Sequence, residues 1–420
     1  MVLPSEDDAV SIQKGKNPGE PHIITVNCPD KTGLSCDICW TILDFGLCIT
    51  KGDVSTDGRW CYIVLWVIPH ASTGIVRWSD LKNRLVMVCP TCSTSFYLNQ
   101  PYPCPKASQV YLITFCCLDR KGLLHDVTQV LCELQLTIQR VKVTTTPDGR
   151  VLDLFFVTDN LDLLDTKQRK DETCEQLYCV LGDSCVSCEL KLAGNQNSAS
   201  SLSPGVAEEL FRCELSSSES EQNCANKLSP DMTKLKNISV ITDNSLSPSH
   251  TLLSIQCFDH KGLLYDILRT LKDCNVQVSY GRFCPVKKGA RDLDLFIQQK
   301  NGDKIVDPEK QNTLCKALKN EMLHPLRVIT VNRGPDTELL VANPVELSGK
   351  GRPRVFYDVT FALKCLEMCV FSAEIGRHSD ADREWEVYRF LLDENCKFQL
   401  SNVRVRNHIV DRVRRTLMGW

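Results

Sequence analysis

The chain has 420 residues, a formal net charge of −3 and an isoelectric point near 6.3, which predicts no general attraction to nucleic acid or to an anionic membrane. Residues 1–8 lack the basic and apolar segments of a secretory signal, and the longest apolar run, Cys61–Ile68, is far shorter than the ~20 residues of a spanning helix. We therefore expect a soluble protein of the cytoplasm or the nucleus, with no membrane partner and no nucleic-acid partner.

A turn sequence recurs along the chain and defines its organisation. Its full copies are Cys28–Ile38, Cys117–Val127 and Cys257–Ile267, and a fourth copy, Gly349–Val359, keeps only the tail of the pattern. The first two copies begin 89 residues apart and the last two begin 92 residues apart, which suits a small domain better than a solenoid repeat. The chain is therefore predicted to be a tandem array of four copies of one small domain.

Helix and strand patterns predict the order βαββαβ in the first copy, residues 22–100, after a disordered tail over residues 1–21. The same order recurs in the second copy, residues 108–192, and in the third, residues 237–333. This order is typical of the ferredoxin-like α+β fold, an antiparallel four-stranded sheet with both helices on one face. The predicted final strands of these copies are Ser93–Leu98, Val186–Leu192 and Leu326–Asn332.

The segment between the second and third copies, residues 193–236, is rich in serine and poor in aromatic residues, which predicts a flexible linker. Within it, Val206–Leu215 has the pattern of a short helix that docks on a neighbouring part, and Ile238–Thr242 adds a short strand before the third copy. Because the first two copies follow each other closely, as do the last two, we expect two pairs. A small domain with both helices on one face of its sheet needs a partner that covers the other face or extends the sheet, and side-by-side pairing would provide one.

The fourth copy, residues 336–420, departs from the pattern. Two strands follow its first helix, and a helix over about 402–418 then ends the chain, so we expect this domain to lack its final strand. That last helix is basic, and we interpret its charged side as a solvated face. Its arginines are Arg404, Arg406, Arg412, Arg414 and Arg415.

The turn suits the binding of a zwitterion. Its first Asp lies in the loop, and its Gly and Leu stand where the helix begins. Amides at a helix N-terminus favour an anion, and a glycine lets a ligand approach the backbone closely. An Asp carboxylate beside them would accept an ammonium group, so the turn complements an α-amino acid. The alternative is structural, with the Gly making a tight turn and the Asp capping the helix.

The fourth copy bears on this choice. Its Gly351 and Arg354 replace the first Asp and the Gly, and the two residues are lost together, as expected if they share one role. A later Asp is kept in all four copies, and we assign it to stabilisation of the helix dipole. These later residues are Asp37, Asp126, Asp266 and Asp358.

The sequence contains 24 cysteines, and a secreted disulfide scaffold would be shorter and would have a signal peptide. Several lie within apolar strand or helix patterns, where a free thiol behaves as a small hydrophobic side chain, so we expect reduced core cysteines and no metal. A zinc site or a redox role is left open for three Cys-x-x-Cys pairs. The pairs are Cys36/Cys39, Cys89/Cys92 and Cys185/Cys188.

The segment Asp259–Ile267 has the pattern Asp-x-x-Gly-Leu-Leu-x-Asp-Ile, and with the βαββαβ order it resembles the ACT domain. Four such copies without a catalytic segment resemble the plant ACT-domain-repeat (ACR) proteins, and the turn is also similar to that of the C-terminal ACT domains of the bacterial PII uridylyltransferase. The resemblance implies domains that pair sheet edge to sheet edge and bind small amino acids near this turn. On this resemblance we carry over a set of ligand-binding residues. They are Asp30, Gly33, Leu34, Asp119, Gly122, Leu123, Asp259, Gly262 and Leu263.

We therefore expect a non-catalytic regulatory protein that binds small amino acids at domain interfaces and signals to a protein partner, with no cofactor. The second hypothesis is an interaction scaffold whose turns bind no ligand. His125 before Asp126 would suit a metal-dependent phosphohydrolase, but Cys36 and Tyr265 occupy the same register, so we treat the histidine as incidental. The sequence contains no P-loop, His-Glu-x-x-His or Gly-x-Ser-x-Gly motif. It leaves open which amino acid binds, which protein is the partner, and whether the chain forms a homodimer.

Overall fold

Two compact units make up the chain, each built on one eight-stranded antiparallel sheet. The first unit contains repeats 1 and 3, and the second contains repeats 2 and 4. The predicted α+β fold of four ferredoxin-like repeats in two pairs is confirmed, but the pairs are interleaved along the chain instead of consecutive. The computed structural model describes residues 9–17, 19–70, 74–90, 109–161, 163–193, 202–211, 237–286, 289–346, 349–380, 383–393 and 400–420.

The helices and strands follow the repeated order, and the described part of the segment between repeats 2 and 3 contains one helix. Repeat 1 contributes β1 (Val10–Gln13), β2 (His22–Pro29), α1 (Leu34–Asp44), β3 (Leu47–Thr56), β4 (Trp60–Pro69) and α2 (Trp78–Val88). Repeat 2 contributes β5 (Val110–Leu118), α3 (Leu123–Glu133), β6 (Leu136–Thr145), β7 (Arg150–Asp159), α4 (Lys167–Leu181) and β8 (Ser187–Leu192), and α5 (Pro204–Phe211) follows it. Repeat 3 contributes β9 (Ser239–Asp243), β10 (Thr251–Phe258), α6 (Leu263–Asp273), β11 (Val276–Pro285), β12 (Ala290–Gln299) and α7 (Pro308–Leu323). Repeat 4 contributes β13 (Arg327–Arg333), β14 (Asp336–Pro344), α8 (Val355–Cys365), β15 (Val370–Asp380), β16 (Arg383–Leu392) and α9 (Val403–Met418).

Each sheet is continuous across its two repeats. The strand order is β1-β2-β4-β3-β11-β12-β10-β9 in the first unit and β13-β14-β16-β15-β6-β7-β5-β8 in the second. The repeats meet through antiparallel pairs of equivalent strands, β3 with β11, where Val54 lies opposite Gly281, and β6 with β15, where Val143 lies opposite Ala373. Each pair thus has an approximate two-fold arrangement, with the turn of one repeat facing elements of the other.

The sheet order corrects two predictions about edge strands. Val10–Gln13 lies in the predicted disordered tail, yet it forms β1 and pairs with β2. Arg327–Arg333 overlaps the strand assigned to the end of repeat 3, yet it pairs with β14 at the edge of the second unit. Both corrections have the same reason. In repeats 1, 3 and 4 the strand at the outer edge of the sheet precedes the repeat's first long strand in the chain. In repeat 2 the outer strand is β8, which follows the first long strand.

Repeat 4 accordingly has four strands. The described residues contain no strand after α9, and β13 supplies the outer strand from the opposite end of the repeat. The predicted strand Ser93–Leu98 of repeat 1 lies outside the described residues.

One face of each sheet is buried against the unit's helices. Alternate residues of β4, namely Ile63, Leu65 and Val67, are almost fully buried and share one core with the helices of repeats 1 and 3. This alternation is what a period of two places on one side of a sheet. The predicted arrangement of both helices on one face agrees with this core.

The helix α5 covers the opposite face of the second unit's sheet in repeat 4. Leu339 and Val341 of β14 belong to the main core, whereas Leu340 and Ala342 form a separate cluster with Leu210 of α5. The expected short docking helix is therefore present; it begins earlier than the sequence suggested, and it is described as far as Phe211. The predicted linker is described only at Ala193 and over residues 202–211.

The basic residues of α9 are not uniformly solvated. Arg406 donates to the side-chain oxygen of Asn332 at 2.6 Å, and Arg414 donates to the carbonyl of Val328 at 2.9 Å. Both acceptors lie on β13, so these two arginines hydrogen-bond the last helix to the sheet of its own unit. This corrects the interpretation of the arginines as a purely solvated face.

Candidate functional site

The four turns share one backbone conformation. The residue before the first helix has φ of 80° at Gly33, 78° at Gly122 and 82° at Gly262. These values lie in the left-handed region, which glycine adopts without steric strain. Arg354 stands at the same place in repeat 4 with φ of 61°, so the turn keeps its shape there with strain. Backbone geometry therefore accounts for the glycines even without a ligand.

The turn satisfies its first helical amide internally. The N–H groups of Leu34, Leu123 and Leu263 donate to carbonyls three residues earlier, at 3.0, 3.1 and 3.1 Å. No side chain caps any of these three helices. In α3 the next two amides, those of Leu124 and His125, have no partner among the described residues. These two groups, and not the amide of Leu123, are the donors that a ligand would meet.

The later Asp joins the two repeats of a unit. In the second unit, Asp126 accepts from Lys364 of repeat 4 and from Arg120 of its own turn, both at 2.6 Å. In the first unit, Asp37 lies 3.6 Å from Nζ of Lys272 in repeat 3. The residue assigned to the helix dipole therefore also anchors a lysine from the partner repeat.

The first Asp has a different environment in each turn. Asp30 accepts a hydrogen bond from the Thr56 hydroxyl at 2.5 Å. Asp259 forms an ion pair with Arg291, also at 2.5 Å. Asp119 has no ion pair among the described residues, and burial raises its pKa, although it accepts from the backbone N–H of Arg120. Of these three carboxylates, that of repeat 2 is the one without a side-chain donor within the described ranges.

A cavity of about 30 Å³ opens beside Asp119, between repeats 2 and 4 of the second unit. Its volume has room for more than one water molecule. The three residues predicted for this turn, Asp119, Gly122 and Leu123, all line it. Repeat 4 contributes the opposite wall from α8, the loop that follows it and the start of β15. Those residues are Thr360, Leu363, Lys364, Met368, Cys369 and Val370.

A buried carboxyl group, Asp153 of β7, also lines the cavity. It is 1% exposed, and its Oδ1 atom has no hydrogen-bond partner. Burial raises the pKa of Asp153 to about 8, and the nearby charge of Asp119 adds to the rise. The Asp153 carboxyl is therefore largely protonated at neutral pH, because its own charge would be poorly solvated and would lie near that of Asp119.

Sequence reasoning missed Asp153, although a signal was present. Its inward-facing neighbours on β7 are Val151 and Phe155, so a charged residue stands in the buried register of an apolar strand. The registers of β4 and β12 place Ile63 and Leu293 at the equivalent positions of repeats 1 and 3. A lone Asp in a core position is expected only where it has a partner or a role.

The imidazole of His125 packs in the same region. Its Nδ1 lies 3.2 Å from the hydroxyl of Thr360, and its ring centroid lies 4.9 Å from that of Tyr357. Burial and, after it, the charge of Lys364 lower the pKa of His125 to about 4, so the ring is neutral. This histidine joins repeats 2 and 4 by packing.

The cysteines of the described residues are all free, and Cys61 and Cys257 are buried in the core. Cys116 and Cys369 are partly buried and Cys365 is exposed. Within the described ranges, no group of three or more His, Cys, Asp or Glu side chains is arranged to hold a metal ion. Cys92, of the second Cys-x-x-Cys pair, lies outside them.

Family models match each of the four repeats. Residues 12–90 match the N-terminal domain of ACT domain-containing protein ACR10, and residues 111–175 match the ACT domain. Residues 239–336 match the ACR9-like, ACT-like domain, and residues 337–419 match the C-terminal domain of ACT domain-containing protein ACR9.

Two relatives from Arabidopsis thaliana span nearly the whole chain. ACT domain-containing protein ACR9 is 58% identical over 422 residues, which cover 99% of each chain. ACT domain-containing protein ACR10 is 50% identical over 421 residues, covering 99% of this chain and 98% of the relative. The chain belongs to the ACR family of ACT domain-containing proteins. The resemblance seen in the sequence is confirmed, and membership of this family indicates a regulatory role.

The similarity to the bacterial enzyme is weaker. The bifunctional uridylyltransferase/uridylyl-removing enzyme of Gluconobacter oxydans (strain 621H) is 23% identical over 222 residues, which cover 52% of this chain and 20% of the enzyme.

Among the described helices of the ACR chain, none has the length and apolar character needed to cross a membrane.

Proposed function

We propose that this ACR-family protein is a non-catalytic regulator that binds one small amino acid in the cavity of repeat 2 and signals to a protein partner. The charge arrangement around the cavity carries the proposal, because Asp119 and Asp153 line it together with Lys364. A free α-amino acid holds an ammonium group and a carboxylate close together. The ammonium group complements the aspartates, and the carboxylate complements the lysine.

The ligand carboxylate is assigned to the start of α3. The amides of Leu124 and His125 are available there, the helix dipole favours an anion, and the ammonium of Lys364 lies beside them. The ligand ammonium is assigned to Asp119 and Asp153, on the other side of the turn. The apolar part of the lining would accept a short side chain. Its residues include Val143, Val151, Met368 and Val370.

Binding would tie repeat 2 to repeat 4, because residues of both line the cavity. A ligand that binds better to the closed pair than to a loosened one shifts the population toward the closed pair. A protein partner that recognises only one of these states would respond to the amino acid. The coupling between amino-acid binding and partner binding then arises from the difference in ligand affinity between the closed and loosened states of the unit.

A purely structural role is favoured for the turns of repeats 1 and 3. Asp30 already accepts from the Thr56 hydroxyl, and Asp259 is paired with Arg291, whereas Asp119 has no such side-chain donor among the described residues. The scaffold hypothesis is therefore retained for these two turns, and the proposal predicts one ligand per chain instead of three.

Isothermal titration calorimetry of the full chain against the twenty amino acids tests the proposal. We expect a small amino acid to bind with a stoichiometry of one. Asp119→Asn removes the exposed carboxylate of the cavity and is expected to weaken binding at least tenfold. Asp30→Asn is the matched control, since it changes the same motif position in a turn without the cavity, and it should leave the affinity unchanged.

Two results would contradict the proposal. Absence of heat and of any thermal shift with all twenty amino acids would leave the scaffold as the better account. Equal loss of binding in the Asp30 and Asp119 variants would move the site away from the cavity of repeat 2.

A further inference from the structure

Among the described residues, no cation forms an ion pair with either carboxyl group of the pair Asp119 and Asp153. Asp153 is buried with Oδ1 unpartnered, and Asp119 lies next to it on the cavity wall. A buried carboxyl group with a second carboxyl nearby does not readily ionise, so the two groups together keep one proton, on the buried Asp153. An empty cavity therefore contains a pair with a single negative charge.

We propose that the ligand amine displaces this proton, so that amino-acid binding to the repeat 2 cavity releases one proton and responds to pH. The inference rests on the proposed function and concerns how that site is regulated. An ammonium group between the two carboxyl groups supplies the positive charge that the free protein lacks. Both groups can then be ionised at once.

The groups that face Asp153 support this assignment. Asp119 approaches from the turn, and Cys117 approaches from β5, where burial and then the charge of Asp153 raise the pKa of the thiol to about 12. The backbone N–H of Thr144 on β6 donates to Asp153. None of these groups is a cation. Asp393, which follows β16, adds a further negative charge near Asp119.

The cations at the cavity are already engaged. Burial opposes ionisation of Asp126, but hydrogen bonds from Lys364 and Arg120 outweigh it and lower the pKa of that carboxyl overall. Both bases are thereby held on the α3 side of the turn. His125 is neutral, and the one titratable group of the wall from repeat 4 besides Lys364 is the thiol of Cys369, within the described residues.

The proton balance follows directly. Before binding, the pair holds one proton and the ligand amine is an ammonium ion. After binding, two carboxylates flank the ammonium, and the displaced proton passes to solvent. Affinity should therefore rise about tenfold for each pH unit while the pair holds its proton, and level off above about pH 8, where Asp153 is already ionised in the free protein.

An amine is favoured over a metal ion as the cation. Magnesium and calcium take six or more oxygen ligands in well-formed sites. The described residues contain no group of three or more acidic, histidine or cysteine side chains arranged around a metal position. An ammonium ion needs only a few acceptors, which this pair supplies.

Calorimetry with glycine, alanine and serine in buffers of different ionisation enthalpy measures the proton directly. At pH 7 we expect the binding heat to vary linearly with buffer enthalpy, with a slope that corresponds to release of about one proton. Asp153→Asn should abolish the slope. Asp294→Asn, an exposed Asp on β12 whose neighbours in the strand are buried leucines, is the matched control and should keep it. N-acetylglycine, which lacks the ammonium, and Mg²⁺ or Ca²⁺ should give no such proton release.

The free protein offers a second measurement that needs no ligand. The pKa of Asp153 in the folded chain, about 8, lies above its unfolded value of about 3.9. Its contribution to stability is therefore fully present below about pH 4 and is lost as the pH rises through about 8. Asp153→Leu, which installs the side chain that repeat 3 has at this position, should remove this loss and make the free energy of unfolding less dependent on pH.

The outcomes separate the two proposals. Amino-acid binding without proton release, or a slope unchanged in Asp153→Asn, overturns the proton coupling and leaves the proposed function standing. Absence of binding by any amino acid overturns the proposed function and the coupling with it. A pH profile of stability that is the same with Asp153 and with Leu at this position would show that the carboxyl does not hold the proton, and this too overturns the inference.

Discussion

At the level of single residues, the turn glycines and the buried carboxyl differ in how well the sequence predicts them. Gly122 belongs to a motif that the chain repeats, so comparison of the copies reveals it. Asp153 occurs once, and the equivalent positions are Ile63 and Leu293. Comparison of repeats finds what they share and passes over a group that only one of them has. The register of β7 would have revealed it, because a charged residue there points into the core.

The lysine above the turn of repeat 2 leads to a prediction about Gly122. Its φ of 78° and that of Gly149, 74°, both lie in the left-handed region, so either Gly→Ala substitution costs about 1–2 kcal/mol in backbone strain. A Cβ at Gly122 would also lie 2.9 Å from Cγ of Lys364, whereas one at Gly149 would meet nothing within 4 Å. Urea denaturation should therefore show a larger loss of stability for Gly122→Ala. Equal losses would show that Lys364 does not constrain the turn.

At the level of helices and strands, the sequence predicts their order and misses which repeats pair. Adjacency along the chain favours consecutive pairs, but edge-to-edge pairing depends on surfaces and not on sequence distance. One sequence feature does indicate which repeats pair. It lies ten residues after the turn glycine, or after Arg354, which takes the place of the glycine in repeat 4. Repeats 3 and 4 have Lys272 and Lys364 there, and repeats 1 and 2 have Leu43 and Cys132. The lysines of the late repeats complement the aspartates of the early ones.

The helix α5 should behave as a separable cover on the sheet of repeat 4. It is eight residues long, too short to be stable alone in water, so its order depends on contacts such as that of Leu210, which is 2% exposed. Leu210→Ala is expected to remove protection from hydrogen exchange over residues 204–211 while β14 stays protected. Glu208→Ala, on the exposed side, is the control and should change neither. Loss of protection throughout the second unit would instead make α5 part of the main core.

At the level of the whole molecule, both sheets draw strands from both sides of the segment 193–236. The number of repeats and the presence of two pairs could be predicted, because they follow from sequence repetition and from the size of a small domain. The interleaved pairing could not, because each repeat offers the same kind of sheet edge to every other repeat.

The interleaving predicts how fragments behave. A chain ending at residue 192 would contain repeats 1 and 2, each without its partner, and would expose the edges of β3 and β6. We expect this fragment and residues 237–420 to be unstable or aggregated when produced separately. Co-expression should give a stable complex with both units, as judged by size-exclusion chromatography and thermal unfolding. A well-folded, monomeric fragment 1–192 would contradict the interleaved arrangement.

In an assembly of two identical subunits, every substitution appears on both sides of the symmetry axis. Here the two members of each pair are encoded separately, so one can change while the other does not. Gly122 keeps its turn while its counterpart is Arg354, and Lys364 reaches across while its counterpart is Cys132. Because one chain encodes both members of each pair, the pair is not bound to exact symmetry, and the two halves of the second unit differ at these positions.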